Sequence, residues 1–218
     1  MKLNLKILCG ILLAAVLGCR SPYYSPAENE SDYRISTLEK EIVREINLAR
    51  TNPRKYASLL EARKKYYDGK LFYRSDESVL KTREGVKAVN EAIRFLRSAN
   101  KLSPLALSKG MSLGANDHVR DIGPRGATRH RGRDGSSPGD RVNLYGKWQG
   151  GIAENIYYGG ENARDVVLGL IIDDGVSSRG HRKNIFKPGF RVIGVGCGRH
   201  AEYRTVCVTT FAMGYIEY

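Results

Sequence analysis

The chain has 218 residues, enough for one well-buried domain and short for two, and its 41% hydrophobic and 27% charged content is ordinary for a globular protein. It contains no internal repeat, and no low-complexity block outside one short linker, which excludes a repeat array. The net charge of +13 implies attraction to anionic surfaces, whether phospholipid, lipopolysaccharide, acidic glycan or nucleic acid, without choosing among them.

The first residues read as an export signal. Lys2 and Lys6 form a basic start, and residues 7–17 an apolar run too short to span a bilayer comfortably. Val16-Leu17-Gly18-Cys19 then resembles a bacterial lipobox, which implies cleavage after Gly18 and lipidation, palmitate included, at Cys19. Losing the two leader lysines lowers the charge from +13 to +11, so the basic balance belongs to the mature chain. A lipid anchor with a basic surface is a two-signal membrane association. The expected organisation is a signal peptide at 1–18, a lipidated Cys with a flexible tether at 19–35, and one domain at 36–218. Localisation follows as the bacterial cell envelope, anchored and facing periplasm or exterior, at the outer membrane in a cell with two membranes. Export also argues against a nucleic-acid partner.

Order is predicted from Ser36-Thr37-Leu38-Glu39, a capping box that opens a helix with Leu38, Ile42, Ile46 and Ala49 on one face. Asn52-Pro53 starts a second helix, as N-cap and first helical residue. Residues 64–78 are a charged, Tyr-containing connection with no assignable pattern. Val86, Val89, Ile93 and Leu96 mark a third helix, and Ser108 caps a fourth that carries Met111, Ala115, Val119 and Ile122 and ends at Gly123-Pro124. His118, at the edge of that face, reads as a packed structural side chain. Residues 124–143 read as a loop holding His130, with Arg125, Arg129, Arg131, Arg133 and Arg141 as solvated cations rather than an anion site. Residues 152–158 read as a short strand interrupted by Glu154-Asn155.

Asn162 caps an apolar helix that runs into Asp173 and Asp174 and is stopped by Gly175; a Ser/Gly turn then presents His181. Each carboxylate at that negative helix end should cost about 0.3–1 kcal/mol, so the pair wants a partner: His181, an Arg or a metal ion. Two strands close the chain, residues 191–198 and 205–214. Antiparallel partners have a constant index sum, and pairing Ile193 with Phe211, Val195 with Thr209 and Cys197 with Cys207 satisfies one register. It places Cys197 directly opposite Cys207, which suits a disulfide in an exported protein better than two buried thiols. Helices first and strands last make the class α+β.

The residues able to carry chemistry are His130, Glu154, Asp173 and His181, a plausible ligand set for a first-row metal, zinc above all. Here the blocks 130–141 (His-Arg-Gly-Arg-Asp-Gly-Ser-Ser-Pro-Gly-Asp-Arg), 153–156 (Ala-Glu-Asn-Ile) and 180–185 (Gly-His-Arg-Lys-Asn-Ile) resemble the bacterial branch of the CAP superfamily, the cysteine-rich secretory, antigen 5 and pathogenesis-related 1 proteins, also called SCP-like extracellular proteins. Residues 45–53 and the terminal hairpin fit as well. The resemblance implies an α-β-α sandwich, helices flanking a small antiparallel sheet, with a central cleft lined by two His and two acidic residues. It places the first His on His130, the first Glu on Glu154 and the second His on His181. The second acid is usually a Glu in a Trp-containing helix; here Asp173 takes the position, with Asp174 as rival. Residues 64–78 read as an insertion relative to the minimal domain.

The resemblance hands over no reaction. It implies a monomeric binding or interaction module that requires no cofactor, whose His/acidic cleft holds a divalent cation, Zn or Mg, and whose partners are a membrane through the anchor and an anionic envelope component or a lipid or sterol-like ligand. The competing reading is a hydrolase, metal-assisted or with Ser136 or Ser137 as nucleophile, His130 or His181 as base and Glu154 or Asp173 behind it. The serines lack a Gly-x-Ser-x-Gly elbow, no dinucleotide or phosphate-loop motif is present, and nothing compels catalysis. A third reading makes the four residues a buried network that only fixes the loops.

Overall fold

The structure, a computed structural model, describes residues 33–74, 78–160 and 162–218. The leader, Cys19 and the tether up to residue 32 lie outside the described residues. Helix α1 (Thr37–Thr51) opens on the expected capping box, Ser36 accepting from the Glu39 amide while Glu39 accepts from that of Ser36. Asn52 ends α1 and its side chain caps α2 (Pro53–Arg63).

Residues 64–78, unassigned from the sequence, begin with a 3-10 turn at Lys64–Tyr66 and then enter a small antiparallel sheet. Its strands are β1 (Tyr67–Asp68), β2 (Leu71–Tyr73) and β3 (Val79–Lys81). Helix α3 (Val86–Ser98), strand β4 (Ala106–Leu107) and helix α4 (Lys109–Ile122), capped by Ser108, follow.

The main sheet has the order β4-β6-β7-β5, with β6 (Val192–His200) and β7 (Arg204–Glu217) antiparallel in the anticipated register: Ile193, Val195 and Cys197 oppose Phe211, Thr209 and Cys207. The Cys197–Cys207 disulfide is formed. Strand β5 (Gly146–Tyr158) is longer than expected, because a bulge between Gln149 and Ile152 carries pairing through the Gly150-Gly151 step. Being last in the order, it is an edge strand.

Alternation along β6 explains the layers. Ile193, Val195 and Cys197 face a large core built with α1, α2, α3, α6 (Ala163–Ile172) and α7 (Gly180–Ile185). On the other face Gly194, Gly196 and Gly198 lie under α4, where a Cβ would run into Met111, Asn116 and Val119. The Gly ridge lets α4 lie directly on the strand. Smaller clusters of α4 with Val206, Val208, Ile156 and Ala212 complete that side, so helices cover both faces of the sheet. The molecule is an α+β sandwich.

Three local expectations are corrected. The 124–143 loop contains a helix, α5 (Pro138–Val142), opened by a capping box of Ser137 and Asp140. Helix α6 ends at Ile172, with Asp173 itself in the left-handed conformation at φ 57°, two residues before Gly175. The turn that presents His181 is the first turn of α7, too short for a periodic pattern to reveal.

The disulfide closes a loop whose ends are 10 residues apart, which on the chain-entropy model is worth about 2–3 kcal/mol. A Cys197→Ser/Cys207→Ser variant is expected to lose that much in urea unfolding; an unchanged midpoint would show that the hairpin needs no cross-link.

Candidate functional site

Adjacent residues of a strand point to opposite faces, and at Glu154-Asn155 both sides are polar and buried. Glu154 faces the α4 layer. Its Oε1 meets Nδ1 of His130 at 2.9 Å, and its Oε2 accepts from Nη2 of Arg141 at 2.7 Å. The same guanidinium donates to the carbonyls of His130 (3.2 Å) and Ser136 (3.0 Å), so Arg141 ties the loop and the carboxylate together. His118 lies 3.9 Å from Glu154 Oε1 and bonds the Arg129 carbonyl through Nε2 at 2.8 Å. Burial, with Arg141 nearby, holds its pKa below the ordinary histidine value, and its buried Nδ1 has no hydrogen-bond partner among the described residues.

Asn155 faces the opposite layer. Its Nδ2 donates to the His181 carbonyl at 3.0 Å and its Oδ1 accepts from Asn184 at 2.8 Å, which fastens α7 to the strand. At the end of α6, Asp173 Oδ1 meets Nδ1 of His181 at 2.7 Å, while Oδ2 accepts the amides of His181 (2.9 Å) and Arg182 (3.3 Å). The carboxylate at the negative end of α6 thus serves the amides that open α7. Arg182 satisfies the α6 carbonyls of Ile171 (2.6 Å) and Ile172 (3.1 Å) and pairs with Glu91 at 2.7 Å, placing a cation where the helix end favours one.

Asp174 goes elsewhere. It accepts the amides of Arg83 (2.7 Å), Glu84 (2.8 Å) and Gly85 (3.1 Å) at the start of α3. Glu84 reciprocates by accepting from Gly175 N at 2.9 Å and Arg179 Nη1 at 2.6 Å, contacts that hold its carboxyl down at a pKa of about 2. Between the expected rivals, Asp173 is the residue beside His181, and Asp174 docks the loop on α3.

The four expected residues therefore form two carboxylate–imidazole pairs. The carboxylates are sealed and the rings reach solvent: side-chain exposure is 2% for Glu154 and 1% for Asp173, against 55% for His130 and 26% for His181. Among the described residues no three His, Cys, Asp or Glu side chains group as donors to one metal ion. Two surface cavities, of about 510 and 530 Å³, are lined by none of the four.

The loop arginines divide. Arg125, Arg129, Arg131 and Arg133 are exposed, as a solvated loop requires. Arg141 is 2% exposed and central, a correction that its position in a basic run concealed. The serine arrangement of a hydrolase is missing among the described contacts. The Ser137 hydroxyl donates to Asp140 at 2.7 Å and caps α5, and neither Ser136 nor Ser137 bonds an imidazole.

Removing the cation from a buried pair leaves an uncompensated charge, typically costing about 3–5 kcal/mol. Arg141→Met is expected to lose stability of that order, and Arg141→Met/Glu154→Gln to recover much of it, in urea unfolding. A loss under about 1 kcal/mol, on the scale of an exposed pair, would contradict the bridging role.

The model of the "CAP: Cysteine-rich secretory protein family" matches residues 86–211. An uncharacterized Bacillus subtilis protein, YkwD, is 31% identical over 110 residues, 50% of this chain and 41% of that protein, so the chain spans less than half the length of that relative. Among solved structures, an extracellular protein containing a SCP domain from Bacillus anthracis is 21% identical with TM-score 0.42, covering 57% of this chain and 38% of that one. An outer surface protein from Borrelia burgdorferi is 18% identical with TM-score 0.43, covering 51% of this chain and 78% of that one.

Proposed function

We propose that this chain, which belongs to the CAP (cysteine-rich secretory protein) family through residues 86–211, is an extracytoplasmic binding module that offers His130 and His181 to one divalent cation. The observation that carries this reading is the paired geometry: each imidazole gives Nδ1 to a buried carboxylate, at 2.9 Å for Glu154 and 2.7 Å for Asp173. A carboxylate behind the ring is the usual support of a metal-binding histidine, fixing the tautomer and leaving Nε2 as the donor.

The residues fit zinc better than magnesium, which demands oxygen ligands. Glu154 and Asp173 orient rather than ligate, since their oxygens are already engaged. A cation held this way supplies a Lewis-acid point for a ligand carboxylate or phosphate. Binding is favoured over hydrolysis because Glu154, committed to Arg141 and His130, is not free to act as a general base.

The leader, the lipobox at Cys19 and the Cys197–Cys207 bond support an oxidising, envelope-side location, with the lipid as tether. Among the described residues no helix is long and apolar enough to cross a membrane. The excess of positive charge supports an anionic envelope component as partner.

Calorimetric titration of zinc into the full chain is expected to give saturable one-to-one binding, absent from His130→Ala/His181→Ala. Glu154→Gln should weaken it roughly 10–100-fold. Equal binding by native chain and double variant, or none by either, would make the two pairs purely structural.

A further inference from the structure

The three-stranded sheet lies before residue 86, where the family match begins, and it carries an unusual surface. Of the ten large hydrophobic residues exposed among the described residues, five fall between Tyr66 and Leu80: Tyr66, Leu71, Tyr73, Val79 and Leu80. The register sorts them. Phe72 opposes Tyr67 and Leu80; Phe72 is 8% exposed, 4.7 Å from the Tyr67 ring and 4.4 Å from the Arg63 guanidinium carbon above it, while Leu80, on the same face, stays 49% exposed. Tyr73 opposite Val79, and Leu71 opposite Lys81, form the outer face. Phe72 and Tyr67 anchor the sheet to the domain, so its stability does not explain the apolar outer face.

Cations flank that face. Residues 63–83 contain seven Lys or Arg against three Asp or Glu; Arg63 lies over Phe72 on the other face and Lys64 pairs with Glu61, while Lys81 opposes Leu71 on the outer one. Lys65, Lys70 and Lys81 are exposed, and Lys65 Nζ lies 4.9 Å from the Tyr66 ring centroid. Asp68 is the one carboxylate on the outer face among the described residues. The sheet is also held at a fixed angle. The Lys70 carbonyl accepts from Thr82 N and Oγ1 at 2.8 and 2.7 Å, and the Gly69 carbonyl accepts from Val86 N at 3.1 Å at the head of α3.

We infer that the outer face of β1–β3 lies on an anionic phospholipid bilayer. Tyr and aliphatic side chains enter the headgroup boundary, while lysine stems follow them in and keep their ammonium groups at the phosphates. A protein partner fits less well, because the cores of protein interfaces are depleted in Lys. The inference deepens the envelope part of the function proposed above and rests on that part alone; the cation site does not enter its test.

The test introduces an indole on the outer face of the full chain (Tyr73→Trp), with the unaltered chain, whose one Trp is Trp148, and Tyr203→Trp as references. Vesicles contain phosphatidylcholine with or without phosphatidylglycerol, and bromine-labelled acyl chains report contact at position 73 whatever else holds the chain to the vesicle. The expected result for Tyr73→Trp is a blue shift and loss of most of the added emission on anionic vesicles, with little change on neutral ones. The emission added by Tyr203→Trp should not be quenched on either. Lys65→Glu/Lys70→Glu/Lys81→Glu in the Tyr73→Trp chain should abolish the quenching while leaving the circular dichroism unchanged. An unquenched indole at position 73 on a chain that sediments with the vesicles overturns the inference, as does failure to sediment. Equal quenching at positions 73 and 203 overturns it too. So does a blue shift of Tyr73→Trp that grows with protein concentration without lipid, which would assign the face to a second copy of the chain.

Discussion

Two buried carboxylates, Glu154 and Asp173, each grip an imidazole by its Nδ1, and the surrounding structure is arranged to satisfy them and hold them in place. A carboxylate taken out of water needs a cation or several donors. Glu154 has the Arg141 guanidinium, and Asp173 has two α7 amides with Arg182 close by on the α6 carbonyls. Satisfying that demand also fixes the loops, because the groups that neutralise each acid belong to the segments carrying the histidines. The strand pair Glu154-Asn155 joins the halves. One residue holds the loop from the α4 layer and the next holds α7 from the other, so a single edge strand sets where both rings emerge.

The Asp173-Asp174 step looks costly at a helix end and is resolved by division. Asp173 turns left-handed and serves the start of α7; Asp174 reaches the start of α3. Both acids at the negative end of one helix thereby sit at the positive ends of two others. Arg179 reinforces the bend, donating to the Asp173 carbonyl at 2.8 Å and to Glu84. On the opposite side Arg50, fully buried, donates to the carbonyls of Ser103, Ile185, Lys187 and Phe190 and fixes the exit of α7 against α1. Buried arginines are the staples of this fold, each gathering backbone carbonyls from loops or helix ends.

Much of this was legible in the residue order, for local physical reasons. Capping residues Ser36, Asn52, Ser108 and Asn162 sit where helices begin, because the N-terminal amides need a nearby acceptor. Parity placed Cys197 opposite Cys207, since a slip of one residue would turn the apolar side chains of β6 outward. The four polar residues of the site were identifiable by type and by a family resemblance. Their division into two pairs was not, because it depends on Arg141, Asn155 and Arg182, whose partners lie on other elements. Arg141 stands in a run of arginines and only the folded chain separates it from its exposed neighbours. Helices α5 and α7 and strand β4 are too short for periodicity to register, and the Gly150-Gly151 bulge hid the first half of β5.

Both solvent-reaching imidazoles are held in one tautomer, with the Nδ1 proton directed at the carboxylate partner and Nε2 left as the free ring nitrogen. The most direct measurement is nitrogen-15 NMR of the neutral histidine side chains in the metal-free chain. His130 and His181 are expected to show a protonated Nδ1 and an unprotonated Nε2, and Glu154→Gln and Asp173→Asn each to release only their own ring to mixed tautomers. Rings that exchange freely between tautomers in the native chain, or carry their proton on Nε2, would contradict it.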